Sequence, residues 1–115
     1  MIMQRKNFST PDHAQTSLNT NVDTISIGDA TITRYTYLPG WRWSKDSKSK
    51  EGTQSCQVHH VGVWISGRMH VKSDDGKEVE YCPGDVMDIP PGHDSWVVGD
   101  EPAVYYGFQS RTAFK

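Results

Sequence analysis

The chain has 115 residues and a formal net charge of −2. A chain of this length can bury enough surface for one hydrophobic core, so we expect a single domain. Neither sign of charge dominates a long stretch, which excludes the basic surface typical of nucleic-acid-binding proteins and of proteins that bind anionic membranes.

Features that would direct the chain into or across a membrane are missing from the sequence. No stretch approaches the ~18 consecutive apolar residues of a spanning helix, and no apolar segment follows the basic residues near the start. The two cysteines, Cys56 and Cys82, are too few for the disulfide framework of a small secreted domain. We therefore expect a soluble cytoplasmic protein with two free thiols.

Residues 1–22 are polar and show no hydrophobic period. Such a segment has little apolar surface to bury. We interpret it as an N-terminal arm, which leaves residues 23–115 as the single folded domain.

Short β-strand patterns separated by turn residues begin at residue 24. Thr24 to Ile27 alternates and stops at Gly28, and Ala30 to Leu38 is rich in β-branched and aromatic residues and stops at Pro39. Residues 44–55 contain no apolar residue, which predicts a surface loop.

The second half of the chain continues in the same way. Asp75-Gly76 is a hairpin-turn signal and Pro83-Gly84 fits a type II turn. The strand patterns cover residues 58–66, 68–72, 77–82, 86–89, 96–98 and 103–108. With about eight to ten short strands and no helical period, the sequence predicts an all-β domain, a jelly roll or a barrel.

One spacing is more specific. Gly84, Pro90 and Gly92 resemble the second motif of the cupins, and Gly67 after the strand of His60 resembles the end of the first motif. The strings PGWRWS, SGRMHV and IPPGHDSWVVGDEP resemble small, stand-alone bacterial cupin domains of the cupin-2 conserved-barrel type. The resemblance covers about residues 32–108 and implies a double-stranded β-helix, the cupin form of the jelly-roll barrel.

The resemblance also implies a metal site, from which this sequence departs. Cupins usually bind a divalent metal with two His and one Glu of the first motif and one His of the second. His60 occupies the place of the Glu, and Ser95 occupies the place of the second-motif His. None of the four family ligands has its usual identity here.

His60, Cys56 and the displaced His93 are the candidate metal ligands that remain. Imidazole and thiolate suit Zn²⁺ or Fe²⁺, with Mn²⁺ and Ni²⁺ as further candidates for one divalent ion. A straight strand would place Cys56 ~13 Å from His60, so joint ligation requires a bend. The alternatives are a hydrogen-bonded pocket histidine, a buried apolar cysteine, and a histidine that bonds turn backbone.

Two functions remain open at this point, besides a structural dimer with no ligand. One is a cupin that binds a small organic molecule inside its barrel, without chemistry; the candidate pocket residues are His60, Trp64, Met69, Tyr81 and Trp96. The other is a metal-dependent cupin enzyme, an oxygenase, isomerase or lyase with a non-standard ligand set. Because a small barrel leaves strand edges exposed, we also expect a homodimer.

Overall fold

The computed structural model describes residues 2–110 and contains nine β-strands and one short α-helix in that range. The strands are β1 (His13–Ser17), β2 (Thr20–Ile27), β3 (Ala30–Tyr37), β4 (His60–Ser66), β5 (Arg68–Ser73), β6 (Glu78–Tyr81), β7 (Val86–Ile89), β8 (His93–Val98) and β9 (Ala103–Ser110). A π-helical turn, Trp43–Ser47, leads into α1, Lys48–Glu51.

The strands form two antiparallel sheets. The larger sheet has the order β1-β2-β3-β9-β4-β7, and the smaller has the order β6-β5-β8. Isolated bridges join Arg42 to Trp96 and Cys56 to His93, so the segment between β3 and β4 contacts β8 twice. The all-β jelly-roll architecture predicted from the sequence is confirmed.

The core lies between the two sheets. The larger sheet contributes Tyr37, Trp64, Met87 and Tyr105, and the smaller contributes Met69, Val71 and Val97. In β8 the buried and partly buried positions alternate, with His93, Ser95 and Val97 turned inward. This period of two places His93 on the same face as Ser95.

Strand β7 spans Val86–Ile89 between two turns, as the turn residues on both sides of it predict. The N–H of Asp85 donates to the carbonyl of Cys82 over 3.0 Å, which closes the turn at Pro83-Gly84, and Gly84 has the positive φ of +93° that this turn requires. Gly92 has a φ of +95° and leads from Pro91 into β8. The two turns hold this strand to four residues.

Residues 1–22, interpreted as an arm, contain strand structure. All of β1 and the first three residues of β2 lie in this range, and β1 pairs with β2 at the edge of the larger sheet. The side chains of β1 are mostly exposed, so no hydrophobic alternation identifies the strand. Its stability comes from backbone pairing, which does not depend on side-chain type.

The predicted loop over residues 44–55 contains the π-helical turn and α1. Trp41 and Trp43, just before this polar segment, are both buried, and the carboxylate of Asp46 within it accepts the N–H of Arg42 over 3.2 Å. No helix in the described part of the chain has the length and hydropathy needed to cross a bilayer.

Candidate functional site

The structure brings the three candidate metal ligands together. One ligand atom from each of Cys56, His60 and His93 lies within 4.8 Å of the others. We call these three residues the ligand cluster. The Cys56 Sγ is 3.7 Å from the His60 Nε2, and the two imidazole rings have their centres 5.2 Å apart.

The bend required by the sequence is present between Cys56 and His60. Strand β4 begins at His60, and Cys56 lies before it, paired with the first residue of β8. The Cys56 N–H donates to the His93 carbonyl over 2.7 Å, and the Gly92 N–H donates to the Cys56 carbonyl over 2.7 Å. This backbone contact places the thiol beside both imidazoles.

The second nitrogen of each imidazole has a partner that orients the ring. His93 Nδ1 lies 2.9 Å from the Pro90 carbonyl. Since a carbonyl only accepts, His93 must carry its proton on Nδ1, and its Nε2 presents a lone pair. His60 Nδ1 lies 2.8 Å from the Tyr105 hydroxyl. When His60 donates to this hydroxyl, its Nε2 lone pair faces Cys56.

Burial keeps the cluster neutral at pH 7. Burial, reinforced by His93 and His59, lowers the pKa of His60 to about 4. Burial also lowers the pKa of His93, although the Pro90 carbonyl acts in the opposite direction. The pKa of the Cys56 thiol is raised, chiefly by burial. Both imidazoles are therefore in the form that ligates a metal, whereas the thiol must lose a proton first.

Three tyrosines are grouped beside His60: Tyr35 and Tyr105 contact its ring, and Tyr37 lines two cavities together with it. Tyr105 is buried and stacks on Tyr35 with ring centres 4.5 Å apart, and Tyr37 is 6.2 Å from Tyr105. Burial raises the pKa of all three phenols. They are neutral hydroxyl groups at physiological pH, able to donate or accept a hydrogen bond beside the cluster.

The cluster lies in the wall between two spaces. His93 lines an inner cavity of about 20 Å³ between the sheets, Cys56 lines an outer cleft of about 170 Å³, and His60 lines both. Pockets for organic ligands typically measure roughly 300–1,000 Å³. Both spaces are smaller than this: the inner cavity has room for about one water molecule, and the outer cleft is the larger of the two.

The residues predicted to line one pocket lie in different parts of the structure. His60, Trp64 and Met69 line the inner cavity. Tyr81 stacks near Trp64, with ring centres 6.2 Å apart. Trp96 lies against Arg42, whose guanidinium carbon is 4.2 Å from the ring centre, and against His70.

Two further histidines, His59 and His70, lie apart from the cluster. His59 Nε2 is 2.5 Å from a carboxylate oxygen of the exposed Asp88, and His70 Nε2 is 2.7 Å from Glu78. Both cysteines are free thiols in the structure, Cys56 buried and Cys82 partly exposed.

Sequence reasoning did not single out the tyrosines beside the cluster. Tyr35 and Tyr105 approach His60 from β3 and β9, and Tyr37 lines the outer cleft together with Trp41 and Trp43. Tyr35 and Tyr37 are two positions apart in a strand, so they lie on one face of it. This spacing was the sequence signal that could have indicated an aromatic surface beside the site. The contact of Tyr105 with His60 joins residues 45 positions apart.

Comparison with known proteins identifies the fold. No protein-family model and no curated protein matches the sequence. Among solved structures, a protein of unknown function from Rhizobium leguminosarum bv. viciae 3841 is 21% identical, with a TM-score of 0.65 over 94% of this chain and 96% of its own.

Two further similar solved structures are of proteins whose names state a fold or an activity. A cupin 2 conserved barrel domain protein from Salinispora arenicola CNS-205 is 18% identical, with a TM-score of 0.59 over 98% of this chain and 91% of its own. The polyketide cyclase RemF from Streptomyces resistomycificus is 16% identical, with a TM-score of 0.64 over 93% of this chain and 78% of its own. The chain therefore has the fold of a small cupin.

Proposed function

We propose that the protein is a metal-binding cupin in which Cys56, His60 and His93 hold one divalent ion beside a site for a small organic ligand. The observation that carries the proposal is the convergence of three ligand atoms within 4.8 Å of one another from separate parts of the chain. Nitrogen and sulfur donors favour Zn²⁺, with Fe²⁺ and Ni²⁺ as further candidates, over Mn²⁺, which prefers oxygen.

The distances support this assignment. A Zn–S bond of about 2.3 Å and a Zn–N bond of about 2.0 Å at a tetrahedral angle separate the two ligand atoms by about 3.5 Å. The observed separation between Cys56 Sγ and His60 Nε2 is 3.7 Å. The hydrogen bonds from Nδ1 of His93 and at Nδ1 of His60 are of the kind that fixes metal-ligating imidazoles.

Three protein ligands favour a reactive ion over a purely structural one. Structural zinc sites have four protein ligands, whereas catalytic sites have three and leave a position for water or substrate. This arrangement supports the second function considered from the sequence, a metal-dependent enzyme. A bound ion would act on a ligand at the open position as a Lewis acid.

A metal-free pocket is the competing function, and one contact favours it. The same 3.7 Å separation between Cys56 and His60 also fits a hydrogen bond from a neutral thiol to an imidazole nitrogen. In that case the cluster would be a polar lining for a small ligand, and no ion would be needed.

Metal content separates the two functions. We expect about one divalent ion per chain in protein purified without chelator, and a sulfur-to-metal charge-transfer band when Co²⁺ is introduced into metal-depleted protein. Cys56→Ser should remove this band, and His60→Ala and His93→Ala should lower metal content. Cys82→Ser and His70→Ala serve as controls, because both residues lie outside the cluster. Failure of the folded protein to retain any of these ions would exclude the metal function.

A further inference from the structure

The outer cleft has a wall of aromatic rings. Tyr35, Tyr37, Trp41 and Trp43 line it together with Cys56 and His60 of the ligand cluster. Tyr37 and Trp41 have ring centres 4.3 Å apart, and Tyr35 is stacked on Tyr105. The aromatic wall and the cluster therefore belong to one continuous space.

Contacts behind the rings hold this wall in place. The Val97 N–H donates to the Trp41 carbonyl over 3.1 Å, and the Trp41 indole N–H donates to the Ser47 hydroxyl over 3.3 Å. The Asp94 carboxylate accepts the N–H of Ser44 over 3.0 Å, next to Trp43. A wall that is ordered before binding loses little conformational entropy when a flat ligand packs on it.

The charged side chains that line the outer cleft lie away from the ligand cluster and balance each other. Lys50 and Glu51 are adjacent, exposed and of opposite sign, and the other polar groups of the lining include the hydroxyls of Ser17, Thr20 and Ser95. A divalent ion bound by one thiolate and two neutral imidazoles would give the cluster a single net positive charge. A negatively charged oxygen of a ligand would complement this positive charge at the end of the cleft nearest the cluster.

We propose that the outer cleft is the organic-ligand site and that it takes a planar aromatic compound with an oxygen donor, a carboxylate or phenolate, at the end nearest the cluster. The aromatic part lies against the partly exposed ring of Tyr35 and the small exposed portions of Tyr37, Trp41 and Trp43, and the oxygen lies toward Cys56 and His60. This inference rests on the metal function proposed above and adds the chemical class of its ligand.

Naphthoate, naphthol, decahydronaphthoate and methylnaphthalene are suitable probes. They share one carbon skeleton and differ in aromaticity or in the oxygen donor. Calorimetry with Co²⁺-loaded protein should show naphthoate or naphthol binding about tenfold more tightly than either of the other two probes. Whichever of naphthoate and naphthol binds more tightly should also shift the Co²⁺ absorption bands.

Val58 offers a variant that fills the cleft without disturbing the core. It lines the outer cleft and is 43% exposed. Val58→Trp should weaken binding of the probe at least tenfold while the protein still takes up Co²⁺. Val79→Trp is the matched control, because Val79 is 49% exposed on β6 and should leave binding unchanged.

The outcomes separate this inference from the metal function. Co²⁺ uptake with no binding of either oxygen-bearing aromatic probe, equal affinity for naphthoate and decahydronaphthoate, or unchanged binding to Val58→Trp would each overturn the inference and leave the metal function standing. Naphthoate binding to the outer cleft of a protein that takes up no metal would overturn the metal function and retain the aromatic ligand class.

Discussion

Cys56 and His93 are joined through their backbones. The N–H of Cys56 donates to the His93 carbonyl over 2.7 Å, and the N–H of His93 donates to the Cys56 carbonyl over 3.3 Å. Directly opposed residues of an antiparallel bridge direct their side chains to the same side. The relative position of these two candidate ligands is therefore fixed by the fold, and no ion is needed to establish it.

Tyr105 should control the metal affinity of His60. Its hydroxyl lies 2.8 Å from His60 Nδ1, where it can accept the proton that fixes the ligating tautomer. Tyr105→Phe removes this acceptor, so we expect metal affinity to fall by about 10–100-fold. Competition with a chromophoric chelator measures the change.

Tyr106→Phe is the control, since Tyr106 stacks on Phe8 instead. Unchanged affinity in a folded Tyr105→Phe protein would show that this hydrogen bond has no role in metal binding.

His60 should make the stability of the metal-free protein depend on pH. Its pKa is lowered from 6.5 to about 4 by burial, so between these values the unfolded chain binds a proton that the native protein does not. Stability therefore rises with pH in this window and is lost as pH falls from about 6.5 to about 4, by about 3 kcal/mol.

Urea unfolding with a chelator at a series of pH values tests this, and His60→Asn provides the comparison. Other groups titrate in the same window, so the difference between the two proteins is the relevant quantity. Identical pH dependence would contradict the prediction.

Gly62 should be intolerant of any side chain. On β4 it shares a face with His60, but the space beside it is filled: a Cβ would lie 2.2 Å from the backbone oxygen of Tyr106 and 3.0 Å from the ring of Tyr105. We expect Gly62→Ala to reduce the free energy of unfolding by about 3 kcal/mol.

Gly76→Ala is the matched substitution, because a Cβ there meets no atom within 4 Å and only the positive φ of +94° is unfavourable. It should cost about 1–2 kcal/mol. Chemical denaturation measures both, and equal effects would refute the steric argument at Gly62.

A homodimer remains a prediction. Among the described residues, β1 and β7 form the outer edges of the larger sheet, and Val86 on β7 is 77% exposed. Unpaired edges favour strand-to-strand association. Sedimentation at micromolar concentration should show a dimer, and Val86→Lys should shift it toward monomer, with Ile65→Lys as control, because Ile65 is 44% exposed on the interior strand β4. A monomeric wild-type protein would rule the dimer out.

The sequence predicts best where local chemistry determines the structure. The turn residues on both sides of β7 specify a short strand, and the alternation along β8 places His93 on the same face as Ser95. Each of these inferences involves residues within a few positions of one another. For this reason no knowledge of the tertiary structure was needed.

Features set by distant contacts could not be predicted in the same way. Cys56 reaches the cluster only through its bridge to His93, and Tyr105 reaches His60 from β9. The strand at His13–Ser17 is stabilised by backbone pairing at the sheet edge and buries little side-chain surface. It therefore carries no hydrophobic alternation that would identify it in the sequence. The short helical segment follows Trp41 and Trp43, whose burial in the core is set by distant contacts.

The placement of the cluster between a small inner cavity and the larger outer cleft has a consequence for the order of binding. The outer cleft, which is the proposed site of the organic ligand, leads to Cys56 and His60. An ion that uses this route would have to bind before an aromatic ligand and leave after it, since the ligand would close the cleft. A bound aromatic acid would slow extraction of the metal by a chelator, and the pair would exchange as an ordered system.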